Sequence, residues 1–252
     1  MRLDRIIAVR SDKSIFRDGE LCMKVFVSGH KKSDIFAEAL NQARAEETGL
    51  AVPTLRSVSV LDGKWTITSD YIRGSSLEQL AAGDPENKNR YIKQLAELQL
   101  ETQSKPCRSF PSLNEKLGRE LNRLPLETEL KTALYKRLYE LSAPENSLCH
   151  GDFSMSNIIL SEDDRRLYIL DWAHAAKGSA AADAARTYLL FYLSGDLDGA
   201  EKYLGCYTRK SGIEKKLIRS WLPVSAASLM LRTVESKRER LLGFIKETLD
   251  NQ

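Results

Sequence analysis

Two periods divide this chain. As far as Gly74 the apolar residues come in short runs or alternate with polar ones, the spacing of strands; beyond it they recur every three or four residues, the spacing of helices. Residues 6–9 open as a strand and give way to a polar loop at 10–14. Ser14-Ile15-Phe16 then leads into Asp18-Gly19, a hairpin turn signal. From 21 to 27 successive side chains change face, so Cys22, Lys24 and Phe26 share one side and Leu21, Met23 and Val25 the other. Ser33 is placed to cap a helix that reaches about Glu47 and stops at Gly49, with Pro53 beyond and an apolar stripe of Phe36, Leu40 and Ala43. Residues 58–61 and 65–72 flank Asp62-Gly63 as a second hairpin.

After Gly74 the signals are helical. Ser76-x-x-Gln79 is a capping box, and Asp84-Pro85 an N-cap followed by proline. A long amphipathic segment carries Tyr91, Leu95 and Leu98, and shorter helices are expected near 113–124 and 127–141, ending by Pro144. Helices resume at 184–194, 198–210 and from 221 onward, with Pro223 inside the last. No internal repeat or low-complexity segment interrupts them.

Between these helices lies LCHGDFSMSNIIL, followed by RRLYILDW. Residues 158–160 and 167–170 are apolar runs separated by a polar turn at 161–165, the pattern of a hairpin. Asn157 stands just before the first strand and Asp171 just after the second, so both side chains emerge at the same end, beside the loop that carries Asp152. Three converging oxygen-bearing side chains suit a hard cation such as Mg²⁺ and a hydroxyl awaiting deprotonation.

Composition narrows the class. The chain has 252 residues, 29% charged and 42% hydrophobic, enough to bury a sizeable core as one large domain or two lobes. No apolar run approaches the roughly 20 residues of a membrane helix. The N-terminus, charged from Arg2, lacks the apolar core of a signal peptide. Cys22, Cys107, Cys149 and Cys206 are scattered without metal spacing and read as free thiols of a cytoplasmic protein. A formal charge of +3 is too mild for nucleic-acid binding.

HGDFSMSN followed by LDW resembles the aminoglycoside phosphotransferase and choline kinase-like family, small-molecule relatives of the protein kinases. The Asp-x4-Asn spacing from Asp152 to Asn157 is similar to the catalytic loop of that group, and Asp171 to its metal-binding Asp. The resemblance implies an α+β, bilobal, protein-kinase-like fold: a small N-terminal antiparallel sheet lobe with one helix, residues 1–74, and a larger, mainly helical lobe, residues 75–252. It also implies ATP, with GTP as an alternative, and Mg²⁺ as cofactors. Asp152 would act as catalytic base, and Asn157 and Asp171 as metal ligands. Lys24 would grip the nucleotide phosphates, held by Glu38, for which Glu46 and Glu47 compete. The carbonyl of Asp70 and the amide of Ile72 would meet the adenine at the hinge. The 10–14 loop would cover the phosphates, although it has no glycine. Asp183, near a helix start that Ser179 is placed to cap, and His150 are expected to be structural; His174 is either a substrate contact or a loop residue.

The expected function is γ-phosphoryl transfer to a hydroxyl of a small molecule, with no nucleic acid and no membrane as partner. The alternative is a catalytically silent nucleotide-binding regulator. A protein kinase proper is disfavoured because Asp171 is followed by Trp172-Ala173 rather than Phe-Gly. From Gly205 to Gln252 ten Lys or Arg face five Asp or Glu, a balance that disfavours a strongly cationic ligand, so that a neutral or anionic alcohol such as a sugar or amino alcohol fits at least as well as an aminoglycoside-like acceptor.

Overall fold

The computed structural model describes residues 5–10, 12–142, 144 and 146–250, so the expectations that fall on Arg2 and Ser11 lie outside it. The alternating first segment forms an antiparallel sheet in the order β1-β2-β3-β5-β4, made of β1 (Arg5–Val9), β2 (Lys13–Asp18), β3 (Leu21–Phe26), β4 (Leu55–Leu61) and β5 (Lys64–Asp70). One helix, α1 (Lys32–Glu46), packs on it over Phe26, Ile35, Ala39 and Ile67, with Leu55, Val58 and Trp65 at the margin. Burying each of these larger side chains is worth about 1.5–3 kcal/mol, which fixes the helix against the sheet.

The β2–β3 turn is displaced by one residue from the expected Asp18-Gly19. Asp18 pairs with Leu21, leaving Gly19-Glu20 as a two-residue loop. Gly19 sits at φ 58, the positive value that a type II′ turn demands of its first central residue. This register sets Ile15 opposite Lys24 and Lys13 opposite Phe26, so Lys13 and Lys24 share one face.

Two expectations for α1 are corrected. The helix begins at Lys32 after Lys31, which makes no side-chain cap, and Ser33 bonds its neighbour Asp34 instead. Phe36 and Leu40 are 45% and 49% exposed, whereas Ile35, Glu38, Ala39, Gln42 and Ala45 are buried. The inward face was misplaced because it contains Glu38 and Gln42, which an apolar count scores as solvent-facing. Gln42 is buried because its amide donates to the Pro53 carbonyl at 2.7 Å.

β6 (Gly74–Ser76) pairs with β8 (Ile158–Ser161), which pairs in turn with β9 (Leu167–Ile169). Gly74 is required there: its φ is 151, and a Cβ would lie 2.1 Å from the Leu160 carbonyl oxygen. The expected capping box opens α2 (Leu77–Gly83), with Gln79 N–H donating to Ser76 Oγ at 3.1 Å and Ser76 N–H to Gln79 Oε1 at 2.9 Å.

Contacts divide the chain into two compact units. The first runs to Gly83 and includes Ser156–His174; the second is Asp84–Met155 with the chain from Ala175 onward. β6, β8 and β9 form a three-stranded sheet of their own, apart from the five-stranded one.

The second unit is built from α3 (Lys88–Gln103), α4 (Leu113–Arg123), α5 (Thr128–Leu141), α6 (Ala180–Ser194), α7 (Leu197–Ser211), α8 (Lys215–Ser220), α9 (Leu222–Met230) and α10 (Glu235–Asp250). Asp84-Pro85 opens a short 3₁₀ turn rather than α3 itself. The segment expected as one helix from 221 is broken between α9 and α10. α9 is buried throughout and packs against α4, α6 and α10. Two three-residue strands, β7 (Ser147–Cys149) and β10 (Ala176–Gly178), pair across the base of the loop that follows β7. Ser179 makes no side-chain cap to α6. Among the described residues no helix is long and apolar enough to cross a membrane.

Candidate functional site

In the first unit the β2–β3 face and α1 bring three of the expected residues together. Lys24 Nζ lies 2.6 Å from Glu38 Oε1 and 3.1 Å from Asp171 Oδ1. Of the three acids considered for Lys24, Glu38 makes the contact. Glu46 instead accepts from the Leu55 amide at 2.7 Å, and Glu47 is exposed. Burial alone would depress the Lys24 pKa, but Asp171 and Glu38 outweigh it and hold the ammonium well above its ordinary range.

Lys13 is an unforeseen member of this cluster. Its Nζ lies 3.3 Å from Glu38 Oε2 and 3.6 Å from Asp171 Oδ1. The sequence placed it in a polar loop, whereas the register of β2 against β3 turns it inward beside Lys24. The two-residue hairpin was the available signal: aligning 18 with 21 puts 13 and 24 on one face.

Asp171 adopts φ 60, a left-handed backbone that a non-glycine residue takes at a cost of order 1–3 kcal/mol. Burial pushes its carboxyl up, and Lys24 followed by Lys13 reverses this and holds it well below the usual carboxylate range. His174 contributes in the same sense. Asn157 ends the 3₁₀ turn Met155–Asn157, and its carbonyl accepts the Leu170 amide at 2.8 Å, extending the Ile158–Ile169 pairing by one step. The residue after Leu170 is Asp171, so Asn157 and Asp171 flank the same end of the hairpin.

These two suit Mg²⁺ in donor chemistry. An amide oxygen and a carboxylate are hard ligands, and Mg²⁺ takes one or two such groups and completes its shell with phosphate and water. Asp171 retains 30% side-chain exposure, and its Oδ2 takes no part in the lysine pairs, which run through Oδ1. Among the described residues no cluster of three or more His, Cys, Asp or Glu forms a self-sufficient metal cage.

At the end of β5 the side chain of Asp70 is bound bidentately by Arg56, at 2.6 and 2.9 Å, its amide donates to the Thr54 carbonyl at 3.0 Å, and its carbonyl accepts from Ser69 Oγ at 3.5 Å. The Tyr71 amide donates to the Glu20 carbonyl at 2.8 Å, fixing the segment that continues to Ile72.

The second unit carries Asp152 on a loop held from beneath. Asp183 Oδ1 accepts the Gly151 amide at 2.8 Å, and its Oδ2 accepts Gln99 Nε2 at 2.8 Å and Gln103 Nε2 at 3.2 Å. Tyr203 and Tyr207 donate to the Gln99 and Gln103 carbonyl oxygens, completing a buried network. His150 is fully buried, accepts the Asp152 amide on Nδ1 at 3.2 Å and meets Phe153 edge-on at 5.5 Å. An imidazole that accepts on Nδ1 holds the loop in place, as expected for a packed histidine.

A family model described as the phosphotransferase enzyme family matches residues 9–207. Choline kinase LicA from Streptococcus pneumoniae is 14% identical, with a TM-score of 0.71 over 100% of this chain and 94% of that one. A thermostable mutant of aminoglycoside phosphotransferase APH(4)-Ia is 13% identical, with a TM-score of 0.69 over 100% and 93%. An aminoglycoside-3′-phosphotransferase of type VIII is 16% identical, with a TM-score of 0.62 over 90% and 92%. At these identities the likeness is one of fold: an N-terminal antiparallel sheet followed by helices. A thermostable APH(4)-Ia mutant has been solved with AMP-PNP and hygromycin B, and LicA with AMP. No curated protein matches the chain.

Proposed function

Because the chain belongs to the phosphotransferase enzyme family, we propose that it moves the γ-phosphoryl group of ATP, with GTP as the alternative donor, to a hydroxyl of a small molecule. The observation that carries this reading is the bond from Lys24 to both Glu38 and Asp171. A buried ammonium fixed between two carboxylates meets a phosphate without first reorganising. Glu38 sets the Lys24 rotamer, and Lys13 adds a second ammonium on the same face. The backbone of Asp70 and Ile72 holds the adenine edge at a hinge near residue 74, which separates a nucleotide-handling lobe, 1–74, from a substrate-handling one, 75–252. The nucleotide complexes of proteins with this fold support the donor assignment.

Asn157 and Asp171 are the residues that hold Mg²⁺, which when bound neutralises charge on the phosphate oxygens. Asp152 accepts a hydrogen bond from the substrate hydroxyl, orients it for in-line attack, and takes its proton as the new O–P bond forms and the nucleoside diphosphate leaves. Asp183 and His150 keep the Asp152 loop in shape without touching the reacting atoms. We place the protein in the cytoplasm, where cysteines outside any disulfide would stay reduced.

ATP consumption measured against metabolite alcohols, aminoglycosides and a generic protein, with Asp152→Asn as control, tests this reading. Turnover with an alcohol, lowered by on the order of 10² or more in Asp152→Asn, is expected. A protein that binds MgATP but consumes none with any acceptor is the silent regulator, and one that never binds MgATP is not a phosphotransferase.

A further inference from the structure

The second unit holds another group of buried charges, which the chemistry above does not use. α4, α6 and α9 converge with Gly151, the residue just before Asp152, on a narrow cleft of about 20 Å³ that opens to solvent. Lys116, Glu120, Arg186, Ser228 and Arg232 line it. Its carboxylates are already committed. Glu120 accepts from Ser228 Oγ through Oε2, at 2.6 Å, and from the Arg232 guanidinium through Oε1. Asp183 is occupied by Gly151, Gln99 and Gln103.

Arg186 stands out among these residues. It is only 8% exposed, and its Nη1 donates to Ser228 Oγ at 3.0 Å, but its Nε has no acceptor. Buried donors in native proteins nearly always have a partner, so an orphaned guanidinium N–H beside a cleft points to a missing acceptor. The neighbouring cations are also under strain. Burial, followed by the Arg232 charge, pushes Lys116 down to about 7, and the same two causes lower Arg186. An oxyanion relieves both, and a guanidinium fork is shaped to bind one bidentately.

We propose that this cleft receives the acid group, a carboxylate or a phosphate, of the alcohol that is phosphorylated, so that Arg186, Arg232 and Lys116 hold the anionic end while the hydroxyl lies at Asp152. The proposal rests on the phosphotransferase reading for the role of the hydroxyl, and it deepens that reading by naming the substrate as an anionic alcohol rather than a polycationic aminoglycoside.

Two arms test it. In the first, inorganic phosphate and acetate are titrated separately against the protein without nucleotide, reading the rise in melting temperature. One of them is expected to protect the wild type, with its midpoint weakened about tenfold or more in Arg186→Gln and in Arg232→Gln and unchanged in Lys24→Ala. Whichever anion protects identifies the acid. Arg232, 25% exposed, keeps the arm readable if Arg186→Gln does not fold. No protection by either anion, as when only a water sits on Arg186 Nε, overturns the proposal. So does protection unchanged in the Arg variants, or lost in Lys24→Ala.

In the second arm, a hydroxy acid is compared with its primary amide, and a sugar phosphate with its sugar, as acceptors. A preference of about tenfold or more in kcat/KM for an acid, collapsing in Arg232→Gln, is expected. Equal or better turnover of the neutral partners overturns the proposal. MgATP binding, measured separately, keeps the two readings apart: its absence defeats the phosphotransferase assignment, whereas anion binding reports on the cleft.

Discussion

In the strand-rich unit two carboxylates, Glu38 and Asp171, face two ammoniums, Lys13 and Lys24. In the helical unit a single carboxylate, Asp183, faces two primary amides and a backbone N–H. Both groups are largely buried, yet they behave differently. Every member of the first carries a full charge that a phosphate or a cation can re-partner, and Asp171 is still partly open to solvent. The second spends its one charge on neutral donors, each backed by a tyrosine or by the chain itself, and so has nothing to offer a ligand. On the proposed reading, the cluster that would accept a phosphate is built from exchangeable ion pairs, and the loop that carries Asp152 is held by hydrogen bonds from amides.

The largest effect that separates the two is chemical. Asp152→Asn, on the loop that Asp183 steadies, is expected to lower kcat by on the order of 10² or more while the melting temperature and MgATP affinity stay at wild-type values. Wild-type turnover in that variant removes Asp152 from the reaction. Asp183→Ala is expected to act on stability instead, because it strands the Gly151 N–H and two buried glutamine amides. Chemical denaturation is expected to show a loss of roughly 3 kcal/mol or more. If stability holds while MgATP binding falls, the assignment of anchor and ligand site is inverted.

Glu38→Gln probes the exchangeable side. Lys24 retains Asp171, so the unit stays folded, but the lysine is no longer pinned by two acids. MgATP binding by calorimetry is expected to weaken about tenfold, in line with a lost charge-assisted bond, and unchanged affinity discards the positioning role. The smallest effect concerns pH. Lys24 and Lys13 hold the Asp171 carboxyl below its unfolded value against the opposing pull of burial. That stabilisation is fully present above about pH 4 and is lost as the pH falls from there toward the lower folded value. Asp171→Asn is therefore expected to flatten the acid limb of a stability-versus-pH curve measured below about pH 4. An acid limb identical to wild type places the acid sensitivity elsewhere in the chain.

How much of this was legible in the residues varied with the kind of signal. Lys24 stood out as a charge flanked by apolar neighbours on its own strand face, and the β8–β9 hairpin, with Asn157 and Asp171 at one end, followed from two apolar runs around a polar turn. Lys13 did not stand out because it falls within the polar run 10–14, which carries the signal of a loop, whereas β2 already begins at Lys13. The buried face of α1 was misread because Glu38 and Gln42 go inward to find partners. β6, β7 and β10, three residues each, are too short to show a period at all.

The order of strands and helices, the position of the hairpin and the residue types that phosphoryl transfer needs were properties of the sequence itself, because period, turn chemistry and side-chain chemistry act over a few neighbouring residues. Tertiary structure alone decided which charges meet. The seating of α1 on the sheet brought Glu38, which its place in the first half of the helix already favoured over Glu46, to Lys24; Lys13 was recruited by register; and Glu120, Arg186 and Ser228, from three helices, were gathered with Arg232 from the turn after α9, up to 112 positions apart. Such pairings depend on how elements pack in space, and no local pattern along the chain encodes them.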